Sequence, residues 1–296
     1  MDAYKREIQL GEDIHSVYVC DFFQKEPEIT MFLVHGAGHS AMTWSLFINI
    51  FSKATNLRIV AYDLRGHGDT RTTNDSDMSI ETLVADFSKI TREFEFTTEK
   101  SIVVGHSLGG IIAAKAVFTD ERLIGAGLAL LDVVEKTGRE SIGFMRNLLR
   151  GRPYFFQEVG EAVEWVIKSG LVTNRESAVL SVPSMLTETT HKGKTGLGWK
   201  VNLVKSEKYW LGWYEGLTDA FLKSKSFIKI LVLTDYKSLD GKELLKAQME
   251  GSFITSVFQG SGHCIQEDKP GELASLIYGK MKRLGVQILV EEETRN

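Results

Sequence analysis

The stretch at residues 101–110, Ser-Ile-Val-Val-Gly-His-Ser-Leu-Gly-Gly, restricts the fold of this chain more than any other part of the sequence. Residues 102–104 form a β-branched run typical of a buried parallel strand, and an apolar helical pattern follows at residues 111–118. Between them stands Ser107 in a Gly-x-Ser-x-Gly turn. A turn this tight strains the serine backbone and raises its hydroxyl above the sheet, so the sequence predicts a nucleophile there. An inert serine in a glycine-rich turn is the alternative.

Composition limits the class of protein. The chain has 296 residues, of which 43% are hydrophobic and 25% are charged, as expected for one large α/β domain or two small ones. The net charge of −4 does not indicate the positively charged surface that nucleic-acid-binding proteins have. The two cysteines, Cys20 and Cys264, are too few and too far apart for a disulfide framework or a metal motif.

These features predict where the protein works. Reduced thiols are typical of a cytoplasmic or nuclear protein. Residues 1–15 are charged and lack the apolar segment of a signal peptide, and no apolar run approaches the roughly 20 residues that span a bilayer. We therefore expect a cytoplasmic or nuclear monomer with no membrane contact, no metal and no cofactor.

A small-residue loop follows an early predicted strand. Residues 31–34 lead into His35-Gly-Ala-Gly-His39, and α/β-hydrolases provide the second oxyanion-hole amide from a loop in this position. We predict Ala37 as that donor, together with the amide of Leu108 after the nucleophile. A plain strand-to-helix turn is the alternative. We interpret His35 and His39 as structural.

A second loop follows the next predicted strand. Asp63 and Arg65 belong to an Asp-x-Arg-Gly-x-Gly turn, which α/β-hydrolases also contain. We expect Asp63 and Arg65 to hold this turn together by charge-assisted hydrogen bonds, with His67 as part of it.

The second half of the chain changes character. Residues 137–225 show helical patterns and no strand signal, which predicts a helical lid inserted into a core of residues 1–136 and 226–296. Residues 184–198 are polar and glycine-rich, and we interpret them as a mobile loop. We select Tyr209, Trp210 and Trp213 of the lid as candidate substrate-pocket residues, with packing in the core as the alternative.

A general base and its acid complete the predicted site. His263 follows the last predicted strand behind glycines, and the order serine, acid, histidine is that of α/β-hydrolases. Three acids compete to orient it. Asp132 stands at the end of the strand after the elbow helix, whereas Asp235 comes too soon after the next strand and Asp240 lies further on. We favour Asp132, with Asp240 second.

Several stretches match one family in particular. Asp-Val-Val-Glu at residues 132–135, Arg-Gly-Arg-Pro at residues 150–153 and Lys-Tyr-Trp at residues 208–210 are more specific than the elbow, and the matching stretches extend over nearly the whole chain. They resemble the protein phosphatase methylesterases, which remove the methyl ester from the C-terminal leucine of the type 2A phosphatase catalytic subunit. The family's triad acid lies in the Asp-Val-Val-Glu motif, which implies Asp132.

The resemblance implies an α/β-hydrolase fold, a serine carboxyl-methylesterase activity and the methylated phosphatase as partner. The chain departs from the family in its lid, because animal members carry a longer acidic insertion where this chain has only residues 184–198. Two rival functions stay open. One is a generic small-ester or thioester hydrolase with the same triad, and the other is a catalytically silent fold that binds the phosphatase.

Overall fold

The computed structural model describes residues 4–21, 29–54, 57–239 and 241–282. Its strands are β1 Tyr4–Leu10, β2 Asp13–Cys20, β3 Ile29–Val34, β4 Leu57–Tyr62, β5 Ser101–His106, β6 Gly127–Leu131, β7 Leu186–His191, β8 Lys194–Trp199, β9 Lys229–Leu233 and β10 Ile254–Val257. Its helices are α1 Ser45–Ala54, α2 Ile80–Arg92, α3 Leu108–Thr119, α4 Glu135–Glu140, α5 Ile142–Arg150, α6 Val159–Lys168, α7 Arg175–Ser181, α8 Glu207–Tyr214, α9 Leu217–Lys223, α10 Lys242–Met249, α11 Ile265–Asp268 and α12 Pro270–Met281. Across these ranges, none of the helices combines the length and apolar character needed to cross a bilayer.

A mostly parallel sheet forms the centre of the molecule. In the described residues its strand order is β1-β2-β4-β3-β5-β6-β9-β10. Strands β3, β4, β5, β6, β9 and β10 run parallel, whereas β2 is antiparallel to both β1 and β4. Strands such as β5 and β6 are apolar and buried along their whole length, which requires cover on both faces. The predicted α/β-hydrolase fold class is therefore confirmed.

Helices cover both faces of this sheet. On one face α2, α3, α8 and α9 enclose a core that includes Phe87, Ile111 and Trp213. On the other face α1 and α12 pack through Phe47 and Ile277. Because both faces are filled, the strands form a rigid platform, and the loops at their carboxyl ends meet along one edge.

The insertion between β6 and β9 contains a β-hairpin that the sequence analysis missed. Helices α4–α9 agree with the predicted helical pattern, but β7 and β8 pair as an antiparallel hairpin in place of the predicted mobile loop. Lys192 and Gly193 have positive φ values of 48° and 78°, as a two-residue type I′ turn requires. The prediction was wrong because most residues on the exposed face of the hairpin are polar. The apolar contacts that Leu186 and Leu197 make on the other face do not show in the composition of the segment.

The hairpin is packed against the chain that precedes α6. The backbones of Phe156 and Leu197 exchange two hydrogen bonds of 2.8 Å. Trp199 Nε1 also donates to the Pro153 carbonyl oxygen at 2.7 Å. A Cβ atom on Gly196 would overlap the Phe156 carbonyl oxygen and the Phe155 ring. These contacts show that the hairpin is packed against its neighbours, so disrupting it would remove stabilising interactions.

We expect Gly196→Ala to lower the free energy of unfolding by about 1.5 kcal/mol, or about 4 °C in Tm, because the added methyl group overpacks this contact. Gly143→Ala is the matched control, since a Cβ there meets no atom within 4 Å. The control should be neutral or slightly stabilising. Thermal unfolding of both variants measures the difference, and equal Tm values would contradict a packed hairpin.

Candidate active site

Ser107 occupies the predicted strained turn between β5 and α3. Its φ and ψ values are 52° and −121°, outside the regions that side-chain-bearing residues prefer. A Cβ atom on Gly105 would overlap the Gly109 carbonyl oxygen, and one on Gly109 would overlap the Val34 carbonyl oxygen. Both glycines are therefore required where strand and helix nearly touch.

Backbone strain is concentrated at the carboxyl edge of the sheet. Among the described residues, the non-glycine residues with positive φ are Ser107, Asp132 and Lys192, and the last belongs to the hairpin turn. Ser107 N donates to the Leu131 carbonyl oxygen at 3.0 Å, which fixes the elbow against β6. Two of the three strained residues thus lie side by side, as is common at functional sites.

Asp132 is positioned to orient His263. His263 Nδ1 lies 2.7 Å from Asp132 Oδ2. The other carboxylate oxygen, Oδ1, accepts from Thr234 N at 3.1 Å and from Thr234 Oγ1 at 3.0 Å. The competing Asp235 accepts from Lys237 N instead, and Asp240 lies outside the described residues. The carboxylate is therefore held by β9 with one oxygen left for the imidazole.

His106, which the sequence analysis did not select, supports the same histidine. Its Nε2 lies 2.9 Å from the His263 carbonyl oxygen, and the two rings are 4.7 Å apart between centroids. Burial, and then the neighbouring His263, holds the pKa of His106 well below its usual value. A neutral His106 with a proton on Nε2 donates to that carbonyl and holds the backbone of the His263 loop. The sequence feature that could have identified His106 is its position directly before Ser107.

The two predicted oxyanion donors belong to the same cavity as Ser107 and His263. Ala37 and Leu108 both line it. Leu108 is the first residue of α3, so its amide is among the helix N-terminal N–H groups that have no partner within the helix. Both residues therefore lie at the cavity of Ser107, and their role as oxyanion donors stays a prediction.

Two buried histidines shape the loop that carries Ala37. His35 Nε2 accepts from Leu64 N at 2.9 Å, and His67 Nε2 accepts from Gly38 N at 2.9 Å. The Nδ1 atoms face the Gly36 and Arg65 carbonyl oxygens, each at 2.8 Å. This pattern requires neutral rings with a proton on Nδ1. Burial lowers the pKa of His67 to about 4 and that of His35 well below its usual value.

Asp63 and Arg65 hold the neighbouring turn by charge-assisted hydrogen bonds, as predicted. Asp63 accepts from the backbone amides of Ala41 at 2.8 Å and Asp69 at 2.9 Å. Arg65 pairs with Asp86, at 2.8 Å and 3.0 Å, and not with Asp63. Asp86 belongs to α2, a tertiary neighbour of the turn that the local motif does not indicate.

A small apolar cavity of about 130 Å³ lies over Ser107 and His263. That is below the roughly 300 Å³ of ordinary ligand pockets, so in this conformation it accommodates only a small group. Trp165, Trp199, Trp213, Tyr214 and Arg152 contribute to its wall. Trp213 is one of the three candidates selected from the sequence, and Arg152 is a residue that the sequence analysis did not select.

The structure places the other two lid candidates outside this cavity. Trp210 is buried in the main core, and its Nε1 donates to Ser206 Oγ at 2.9 Å. Tyr209 packs on the border of the same core. Trp210 and Trp213 lie three residues apart on one face of α8, with ring centroids 6.4 Å apart, so their spacing in the sequence does not distinguish the residue at the cavity from the one in the core.

Within the described ranges, two groups of side chains have the spacing of metal ligands. Asp13, His15 and Asp86 form one, but both carboxylates pair with Arg65, which supplies the positive charge. The second comprises His39, Cys264 and Glu267. There the Glu267 carboxylate already accepts from the hydroxyls of Thr43, Ser177 and Ser181. We therefore assign a metal to neither.

Comparisons with known proteins agree with this geometry. Residues 31–276 match the alpha/beta hydrolase family. The chain is 38% identical to protein phosphatase methylesterase 1 of Schizosaccharomyces pombe, over 83% of this chain and 72% of that protein. It is 32% identical to the Homo sapiens protein of the same name, over 94% of this chain and 81% of that one.

A solved structure supports the fold independently. The crystal structure of E-2-(acetamidomethylene)succinate hydrolase superposes with a TM-score of 0.75, at 16% identity, over 95% of this chain and all of that one. At that identity the similarity concerns the fold alone. The sequence matches are closer and extend over most of both chains. The chain therefore belongs to the protein phosphatase methylesterase family of α/β hydrolases.

Proposed function

We propose that this protein is a serine carboxyl-methylesterase that hydrolyses the methyl ester on the C-terminal leucine of the type 2A protein phosphatase catalytic subunit. The contact between His263 Nδ1 and Asp132 Oδ2 at 2.7 Å carries the proposal, because it provides an oriented base beside a strained serine. The membership of the methylesterase family supports the choice of ester.

The proposed reaction has two halves. Ser107 Oγ attacks the ester carbonyl carbon while His263 Nε2 takes its proton, and the negative oxygen accepts from the amides of Leu108 and Ala37. Each such donor contributes roughly 3 kcal/mol to transition-state stabilisation. Methanol leaves with the proton from His263. His263 then removes a proton from water, the resulting hydroxide attacks the acyl carbon, and His263 returns the proton to Ser107 Oγ as the leucine carboxylate leaves.

Two features support a large partner and a reducing compartment. The cavity is small, so a peptide terminus attached to a folded protein requires contacts outside it. Cys20 and Cys264 are both buried free thiols, as is typical of cytoplasmic and nuclear proteins. We therefore propose the folded phosphatase as the substrate and the cytoplasm or nucleus as the location.

We expect kcat/KM on the intact methylated phosphatase to exceed that on a methylated C-terminal peptide by at least about 100-fold. This ratio corresponds to roughly 2.7 kcal/mol of additional transition-state stabilisation from contacts remote from the ester. Methanol release, or loss of the methyl group by mass spectrometry, measures both rates with the same purified protein.

The controls separate the rival functions. Ser107→Ala should abolish demethylation while leaving Tm nearly unchanged, since the Ser107 side chain is not part of the packed core. Equal kcat/KM values for peptide and phosphatase would leave a generic esterase. A protein that binds the phosphatase but neither releases methanol nor reacts with a fluorophosphonate probe would be a catalytically silent fold.

A further inference from the structure

Arg152 lies in the cavity wall, although the proposed reaction gives it no role. It belongs to the Arg-Gly-Arg-Pro stretch that follows α5, at the point where the chain turns toward the hairpin. Its Nη1 atom would lie 4.0 Å from a Cβ atom built on Gly38, so the guanidinium is beside the predicted oxyanion loop. A fixed positive charge therefore stands in the same cavity as Ser107.

The hairpin holds this guanidinium in place. Its central carbon lies 3.5 Å from the centroid of the Trp199 ring, and the Trp165 ring meets Trp199 edge-on at 5.8 Å. The next residue, Pro153, accepts a hydrogen bond from Trp199 Nε1 at 2.7 Å. Backbone and side chain are thus anchored to the same tryptophan, so Arg152 cannot easily withdraw from the cavity.

Nothing in the described part of the chain neutralises this charge. Arg152 forms no ion pair with a described carboxylate, and its buried Nε atom has no hydrogen-bond acceptor among the described residues. Burial lowers the pKa of the Arg152 guanidinium to about 10, which leaves it charged at neutral pH. The tryptophan face attracts a cation but supplies no lone pair for its N–H groups. A half-buried arginine whose Nε has no acceptor among the described residues is suited to bind an anion.

We propose that Arg152 binds a carboxylate of the substrate or of the product in the cavity beside Ser107. The inference rests on the proposed function because ester hydrolysis is the reaction that would produce one of the two possible carboxylates. The carboxylate has two sources. One is the C-terminal carboxylate that hydrolysis produces, and the other is an acidic side chain close to the C-terminus of the substrate.

Two pairs of short peptides distinguish these sources. Acetyl-Ala-Ala-Leu with a free carboxylate is compared with its C-terminal carboxamide. Acetyl-Asp-Ala-Leu-carboxamide is compared with acetyl-Asn-Ala-Leu-carboxamide. None contains an ester, so their dissociation constants, measured by calorimetry at pH 7, do not depend on demethylation. We expect the carboxylate member of at least one pair to bind at least about 10-fold more tightly.

Variants then assign that preference to one residue. Arg152→Gln should reduce the ratio to below about 2-fold, whereas Arg150→Gln, the exposed arginine of the same stretch, should leave it unchanged. Arg152→Lys keeps the charge without the planar fork, and we expect it to retain a preference of about 3-fold. It also provides a folded variant if the glutamine variant is unstable.

The result that overturns the inference is clear-cut. It is wrong if neither pair shows a preference for the carboxylate, if no peptide binds at 1 mM, or if the preference survives in both Arg152 variants. The phosphatase assay decides the methylesterase proposal separately, because an enzyme with normal demethylation and no carboxylate preference would retain the function and lose only this role of Arg152.

Discussion

Asp132→Asn should lower kcat for ester hydrolysis by about 10⁴-fold with Tm nearly unchanged. The contacts of the carboxylate explain this expectation. Thr234 donates twice to Asp132 Oδ1, so the oxygen of an asparagine amide takes that place and keeps both bonds. The amide NH₂ group then faces His263 Nδ1, where Oδ2 now lies at 2.7 Å. That group can only donate, so it forces the proton of the imidazole onto Nε2.

A histidine protonated on Nε2 cannot accept the Ser107 proton, which is why the loss falls on kcat. Labelling by a fluorophosphonate probe should slow in parallel, because it requires the same activated serine. Rates on a p-nitrophenyl ester and on the methylated phosphatase measure the effect for both substrate classes.

Two other aspartates serve as controls. Asp235→Asn should be nearly silent, because that side chain accepts only from the backbone of its own turn, at Lys237 N. We also expect Asp240→Asn to be nearly silent, although it was the second candidate from sequence. A loss of activity in Asp240→Asn together with a fully active Asp132→Asn would reverse the assignment of the acid.

The strained turn at Ser107 and the position of Asp132 beside His263 were predictable from sequence because each is a local pattern at the end of a strand. A glycine two residues before and two after Ser107, with a strand before and a helix after, leaves few possible backbones. Asp132 ends an apolar run, and such positions meet at one edge of a parallel sheet. Local order along the chain was sufficient in both cases.

The lid was harder to predict because its contacts are between elements. The hairpin has a polar outer face, and its inner side makes contacts with Phe155 and Phe156, thirty or more residues earlier. Arg152 and Trp199 are likewise far apart along the sequence, so the sequence alone did not indicate that they are in contact. Trp210 and Trp213 both belong to α8, and only the packing of that helix shows that Trp213 lines the cavity and Trp210 does not.

Acidification from pH 7 to pH 5 should lower the free energy of unfolding by at least about 3 kcal/mol. His35, His67 and His106 are buried, and burial lowers the pKa of each of them, that of His67 to about 4. In the unfolded chain these histidines have a pKa near 6.5. Below that pH the unfolded chain binds protons that the folded protein excludes, so stability rises with pH across this window.

The magnitude follows from the number of protons. Each histidine that stays neutral in the folded protein lowers the free energy of unfolding by about 1.4 kcal/mol for each pH unit below 6.5, or by about 2 kcal/mol at pH 5. Asp63 acts in the opposite direction, because burial raises its pKa to about 6. Below pH 6 the folded protein takes up a proton at Asp63 that the unfolded chain does not, which returns about 1.4 kcal/mol by pH 5. The histidines outweigh this single carboxyl group.

His67→Gln tests the cause. A glutamine side chain does not titrate, and its oxygen can still accept from Gly38 N in place of His67 Nε2. Urea unfolding at pH 7, 6 and 5 should therefore show that the variant loses about 2 kcal/mol less stability between pH 7 and pH 5 than the wild type. Equal stability of the wild type at pH 7 and pH 5 would contradict the neutral state of the buried histidines. An unchanged slope in His67→Gln would instead assign the acid sensitivity to groups other than His67, and it would contradict the assignment of His67 as a ring that stays neutral in the folded protein at pH 5.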